Sequence, residues 1–161
     1  KWELEDLSLK CLDLRAFNRI KKKIETSTRL NEDILSNSIK PIKTELNSYK
    51  IKSDIFGRYK SISSIHRKIE KSGKKFEEIY DLYAIRIIVD KIEECYLALG
   101  VIHSIYPPLQ DRFKDFIATP KTNGYQSIHT TVLTNDNRLT EFQIRTKDMD
   151  YTAEVLSLIH I

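Results

Sequence analysis

The chain has 161 residues and 18.9 kDa, 40% of them hydrophobic and 31% charged, with four Gly, four Pro and a formal charge of +4. A chain of this length can bury roughly 68–70% of its unfolded surface around one core, which describes a single soluble globular domain. No apolar run approaches the ~20 residues a membrane span needs, and the composition excludes collagen-like and low-complexity classes.

The opening Lys1-Trp2-Glu3-Leu4-Glu5-Asp6 is acidic where a secretory signal is basic and then apolar, and the missing initiator Met reads as a piece of a longer chain. Cys11 and Cys95 lie far apart with no metal-ligand spacing, so neither a zinc site nor a disulfide framework is expected and a reducing cytoplasm fits best. The charge is uneven: between Lys40 and Lys75 eleven Lys/Arg face three acids, a local +8 that leaves the remainder at −4. Such a segment is either a solvated Lys-rich face or a site for phosphates.

Residues 1–50 read as helical. An apolar opening (Trp2, Leu4, Leu7, Leu9, Leu12) is followed by helical spacing of Leu14, Phe17, Ile20 and Ile24, then of Ile34, Ile39, Ile42 and Leu46. Pro41 predicts a kink or restart in the last of these. The half carries no chemical constellation and reads as scaffold or connector. Residues 51–56 predict a short strand ended by Gly57, and Ser61 a helix cap; the helix runs to about Lys71 and stops at Ser72-Gly73. Ile62, Ile65 and Ile69 form its buried stripe, while Ser64, Lys68 and Lys71 share another face, with Arg58 and Lys60 just before the first turn. Free N–H groups at a helix start, flanked by cations, favour an anion.

Residues 82–89 form a nearly continuous apolar run, expected of a central strand, with Asp81 at its mouth and Arg86 inside it. A charge there needs a partner or a function, so Arg86 is either paired or a substrate contact. A helix over 92–105 puts Tyr96, Leu99 and Ile102 on its core side and ends at Pro107-Pro108. In Arg112-Phe113-Lys114-Asp115 alternation sets Arg112 and Lys114 on one side, ahead of the turn-rich Pro120-Lys121-Thr122-Asn123-Gly124. Two strands within 126–145, split by Asn135-Asp136-Asn137, place Ile128, Thr130, Val132, Phe142 and Ile144 towards a core. Tyr125, His129, Glu141, Gln143 and Arg145 then share the opposite surface. Asp81 and Glu141 are the acids in or at the mouth of strongly apolar strands, and with the cations nearby they suit Mg²⁺-assisted phosphoryl chemistry in an α+β domain.

The segments Gly57-Arg58-Tyr59-Lys60-Ser61-Ile62, Tyr80-Asp81-Leu82-Tyr83-Ala84-Ile85-Arg86, Arg112-Phe113-Lys114-Asp115, Lys121-Thr122-Asn123-Gly124-Tyr125-Gln126-Ser127-Ile128-His129-Thr130-Thr131 and Glu141-Phe142-Gln143-Ile144-Arg145-Thr146 resemble, in order, the motifs of the RelA/SpoT (p)ppGpp synthetase domain. The resemblance implies a nucleotidyltransferase-like fold, a mixed but largely antiparallel sheet flanked by helices. It assigns residues 51–161 to a synthetase domain and 1–50 to a helical connector from an upstream, hydrolase-like domain. The implied activity is Mg²⁺-dependent transfer of the β,γ-diphosphate of ATP to the 3′-hydroxyl of GDP or GTP, giving (p)ppGpp and AMP in the stringent response. The alternative is a catalytically silent synthetase-like module that binds guanine nucleotides or RNA.

On matching positions, Arg58, Lys60, Ser64, Lys68 and Arg86 would hold ATP. Asp81 would bind Mg²⁺, and Glu141 would bind it too or act as the base. Tyr125 would stack on guanine with Lys121 and Asn123 nearby, while Arg112, Lys114 and His129 would contact phosphates. Gln143 and Arg145 are left as supporting residues. The basic Arg-Phe-Lys-Asp variant is that of bifunctional members, implying simple Mg²⁺ dependence, with hydrolase and regulatory domains as covalent neighbours and the ribosome reached only through regions outside this chain. Ala153-Glu154 fits the family's continuation, Ala-Glu-x-Gly-x-Ala-Ala-His-Trp, and the rest does not, so residues 155–161 read as a non-native tail.

Overall fold

The computed structural model describes residues 2–76 and 83–159; the predicted metal ligand Asp81 lies outside the described residues. Two helices come first, α1 (Trp2–Leu12) and α2 (Leu14–Ser48). Asp13 separates them, its side chain accepting from the Ala16 N–H at 3.0 Å. α2 is one helix of 35 residues where separate stretches were expected, and it passes Pro41 without restarting. The proline removes one backbone bond, but Ile42 and Leu46 are fully buried in the turns that follow, and such tertiary anchoring outweighs a local defect.

The remaining elements are β1 (Asp54–Tyr59), α3 (Ile62–Ser72), β2 (Tyr83–Val89), α4 (Ile92–Ile105), a 3₁₀ turn (Gln110–Arg112), β3 (Lys114–Asp115), β4 (Ile128–Leu133), β5 (Leu139–Thr146) and α5 (Lys147–Ile159). The five strands form one sheet in the order β1-β2-β5-β4-β3. β2 and β5 are parallel and the other neighbours antiparallel, the mixed, largely antiparallel sheet that was expected.

Gly57 does not end the first strand; it sits within β1. The Tyr83 ring and hydroxyl occupy the space where a Gly57 side chain would be, with Leu35 behind, so Gly is needed for close approach, not for a turn. Burial and the neighbouring Tyr59, 4.6 Å away ring to ring, raise the Tyr83 hydroxyl to about 12.

One sheet face is apolar. Ile85, Ile87, Ile128, Val132, Phe142 and Ile144 are buried there against Ile42 and Leu46 of α2 and Cys95, Ala98, Val101 and Ile102 of α4. Tyr96 was expected in this layer and lies outside it, 39% exposed, its hydroxyl donating to Asp115 at 2.8 Å. The buried stripe of α4 follows Cys95, Ala98 and Ile102, which rotates Tyr96 out of the contact. A smaller core joins Ile20 and Ile24 of α2 to the predicted Ile62, Ile65 and Ile69 stripe of α3. Cys95 is buried and Cys11 exposed, both free. No described helix is long and apolar enough to cross a membrane.

Candidate active site

The strand register lays the side chains of the second sheet face in rows. Phe56, Arg86, Gln143, His129 and Lys114 make one row; Arg58, Ala84, Glu141 and Thr131 make the next. Arg145 pairs with Ile88 one step further along. His129, Glu141, Gln143 and Arg145 thus share a face as the alternation predicts, and Tyr125, just ahead of β4, turns back onto them.

Arg145 is the hub. Its guanidinium, with 4% of the side chain exposed, donates to the Tyr125 hydroxyl at 2.8 Å, Asp150 Oδ1 at 3.0 Å, Gln143 Oε1 at 3.2 Å and Ser127 Oγ at 3.3 Å. The Tyr125 hydroxyl lies 2.8 Å from His129 Nε2. Gln143 donates its amide N–H to Glu141 Oε1 at 2.9 Å, and His129 Nδ1 stands 3.8 Å from the same oxygen. Burial lowers the His129 imidazole to about 4; Glu141 opposes this, while Arg145, Lys121 and Lys114 add to it. The ring is therefore neutral near pH 7.

Helix α5 closes over this face with two acids. Asp150 also meets Arg86 at 3.3 Å, and Glu154 lies 3.4 Å from Arg86 and 3.7 Å from Arg58. Arg86 is thus ion-paired, although its buried Nε has no partner among the described residues. Burial first, and the facing Arg145 second, push its guanidinium below the ordinary value.

The predicted anion site at the start of α3 already holds an anion. Ser61 caps the helix, accepting from the Ser64 N–H, and Asp6 of α1 accepts from Ser63 N at 2.8 Å and Ile62 N at 3.3 Å. Glu5 adds a contact to Arg67 at 3.7 Å. Arg58, expected just ahead of the first turn, stands instead in β1, because that strand extends to Tyr59. Lys60 precedes the cap, Ser64 accepts from the Ser61 hydroxyl at 2.7 Å, and Lys68 is exposed one turn on.

Arg112 closes the 3₁₀ turn, so it does not alternate with Lys114 along one strand; both are exposed. Asp115 accepts from the Ile117 and Ala118 N–H groups, each at 2.9 Å, which starts the loop back to Tyr125. At the loop's end Asn123 Oδ1 accepts from Tyr125 N at 3.0 Å, and Gly124 takes a φ of 87° that a residue with a side chain rarely adopts. Lys121 Nζ lies 4.7 Å from the Phe116 ring and 5.2 Å from that of Tyr125. Among the described residues no group of three or more His, Cys, Asp or Glu side chains could by itself hold a metal.

Asp6 and Asp150 had not been singled out from the sequence; Ser127 stood there only as a member of the Tyr125–His129 face, and Glu154 only as part of Ala153-Glu154. Asp150 and Glu154 are four apart, hence on one face of α5, a spacing that carries a signal. Asp6 carries none, since its partner Ser63 is 57 residues away.

Residues 57–159 match the family model described as the region found in RelA / SpoT proteins. The chain belongs to the RelA/SpoT family. It is 43% identical over 155 residues to the guanosine-3′,5′-bis(diphosphate) 3′-pyrophosphohydrolase of Spiroplasma citri and 39% identical over 155 residues to the GTP pyrophosphokinase of Escherichia coli strain K12. Each alignment covers 96% of this chain and 21% of the relative, so the chain spans about a fifth of the length of the curated RelA/SpoT relatives it matches. Among solved structures, small alarmone synthetase 2 from Bacillus subtilis is 29% identical with a TM-score of 0.68, over 86% of this chain and 79% of that one. Every predicted site residue, Arg58 to Glu141, falls inside the RelA/SpoT match, whereas Asp6 lies outside it.

Proposed function

We propose that this chain is a (p)ppGpp synthetase module, transferring the β,γ-diphosphate of ATP to the ribose 3′-hydroxyl of GDP or GTP. In that reaction the 3′-oxygen bonds to the β-phosphorus of ATP, the bond from that phosphorus to the α,β-bridging oxygen breaks, and AMP leaves. Glu141 takes the hydroxyl proton. The observation that carries the reading is the placement of this carboxylate, held by Gln143 and flanked by neutral His129, on the face that also bears the Tyr125 ring. Family membership and the E. coli relative, a GTP pyrophosphokinase, support the same reaction.

Tyr125 offers guanine a ring whose orientation its hydroxyl contacts fix. Lys121, Asn123, Arg112, Lys114 and His129 would hold the guanosine nucleotide, and Arg58, Lys60, Ser64, Lys68 and Arg86 the ATP. Binding ATP phosphates would require Glu154 to yield Arg58 and Arg86, and Asp6 to yield the start of α3. Glu141 would supply one hard oxygen ligand for Mg²⁺ and Asp81 a second, and such an ion is commonly held by one or two carboxylates plus substrate phosphates. Bound there, Mg²⁺ would neutralise charge on the transferring phosphates. The remaining four-fifths of comparable relatives leaves room for hydrolase and regulatory domains in a longer chain. The protein incubated with ATP, GDP and Mg²⁺ is expected to release AMP and a guanosine 3′-diphosphate derivative; nucleotide binding without AMP would refute the assignment.

A further inference from the structure

We infer that Arg145 and the Tyr125 hydroxyl are positioning groups that lock His129 in the tautomer with its proton on Nδ1, directed at Glu141. Hydrogen-bond direction carries the inference. A guanidinium can only donate, so the Tyr125 oxygen accepts from Arg145 Nη2 at 2.8 Å. The phenol has one proton of its own, and among the described residues its other hydrogen-bond partner is His129 Nε2 at 2.8 Å. With that proton directed to the imidazole, Nε2 is the bare, accepting nitrogen and the ring proton resides on Nδ1.

The other side of the ring favours the same tautomer, more weakly. Nδ1 faces Glu141 Oε1 at 3.8 Å, too long for a formed hydrogen bond but close enough for charge to add a bias. An N–H dipole pointing at a carboxylate is attracted, whereas a nitrogen lone pair there is repelled. The orientation begins at α5: Asp150 fixes Arg145 Nη1 at 3.0 Å, while Ser127 and Gln143 fix the rest of the guanidinium. A helix outside the hairpin therefore sets which face of the imidazole meets Glu141.

The catalytic consequence rests on the proposed function. Glu141 must be aligned to take the 3′-hydroxyl proton, and an Nδ1–H directed at it favours that alignment. The opposite tautomer would present a lone pair and displace the carboxylate.

The experiment is a long-range ¹H–¹⁵N correlation of the histidine side chains at pH 8, where an imidazole is neutral, on the wild-type protein without nucleotide. His129 is assigned with His129→Gln, and His103, held to Thr130 at 2.7 Å, serves as the reference for an intact fold. The expected spectrum shows His129 protonated on Nδ1, and Tyr125→Phe moves it to the Nε2-protonated form while His103 stays put. In turnover assays Tyr125→Phe keeps the ring but frees it, so any rise in the KM for GDP is smaller than the fall in kcat, about tenfold, as alignment of the base is lost. Wild-type His129 protonated on Nε2, or an unchanged tautomer in Tyr125→Phe, overturns the inference. An Nδ1-protonated wild type that forms no AMP would instead leave the tautomer standing and remove the proposed reaction, so the two failures are distinguishable.

Discussion

The two halves of the site are built differently. On the hairpin side Arg145, Tyr125, His129, Gln143 and Glu141 satisfy one another, and Arg145 is almost wholly buried. On the β1–α3 side the anion-binding groups are engaged by carboxylates from elsewhere: Asp6 of α1 on the backbone of α3, and Glu154 of α5, itself 52% exposed, on Arg58 and Arg86. A buried network resists exchange because breaking it strands polar groups without water. An exposed carboxylate such as Glu154 leaves at little cost. The proposed guanine side is therefore set before substrate arrives, while the proposed phosphate side is neutralised in a way that an incoming triphosphate can reverse.

Removing the proposed base should have the largest effect. Glu141→Gln keeps the shape and most hydrogen bonding but cannot take a proton, so AMP release is expected to fall by about 10²–10⁴-fold with nucleotide binding retained. A variant with wild-type turnover would move the base elsewhere.

The next pair tests the contrast directly. Arg145→Ala strips partners from Asp150 and Tyr125 in a buried setting and should lower unfolding free energy by about 3–5 kcal/mol in a urea titration. Arg58→Ala, at a side chain 39% exposed, should change stability by no more than about 1 kcal/mol while raising the KM for ATP. Similar stability losses from both would erase the distinction between the two halves.

Acid should loosen the hairpin side as well. The folded His129 value of about 4 lies below the ordinary 6.5, so between those pH values the unfolded chain binds more protons and stability declines as pH falls. From pH 6.5 to 4 the contribution lost is of order 3 kcal/mol, and the slope over that window should flatten in His129→Gln.

What the sequence could disclose follows a physical divide. Strand alternation in 126–145 placed the polar row correctly, because a period of two leaves no freedom once Phe142 and Ile144 must be buried. Ser61 and Gly73 bounded α3 for equally local reasons, since each completes hydrogen bonds of its own helix. Gly57 misled because its reason is Tyr83, brought alongside by a strand that follows an entire helix. Tyr96 misled by one helical position, since Leu99 and Ile102 fit two neighbouring stripes. The ion pairs of Asp150 and Glu154 with Arg86 were not legible, because that partner comes from a strand remote in the chain.

Asp6 separates the two halves with the smallest expected effect. Its carboxylate lies on two N–H groups at the positive end of α3, where an acid typically contributes about 0.3–1 kcal/mol. If ATP phosphates use the same groups, the carboxylate and nucleotide compete, and each loses what the other gains. Asp6→Ala should therefore be slightly less stable yet bind ATP more tightly, by a factor of about two to five if the whole contact is released on binding. Calorimetric titration with a non-hydrolysable ATP analogue measures this without turnover, and the same titration with GDP should be unaffected, because the Tyr125 side is held by Arg145 and not by α1. Weaker ATP binding in Asp6→Ala would mean that Asp6 supports the phosphate site by ordering α3, and that this half too is assembled in advance.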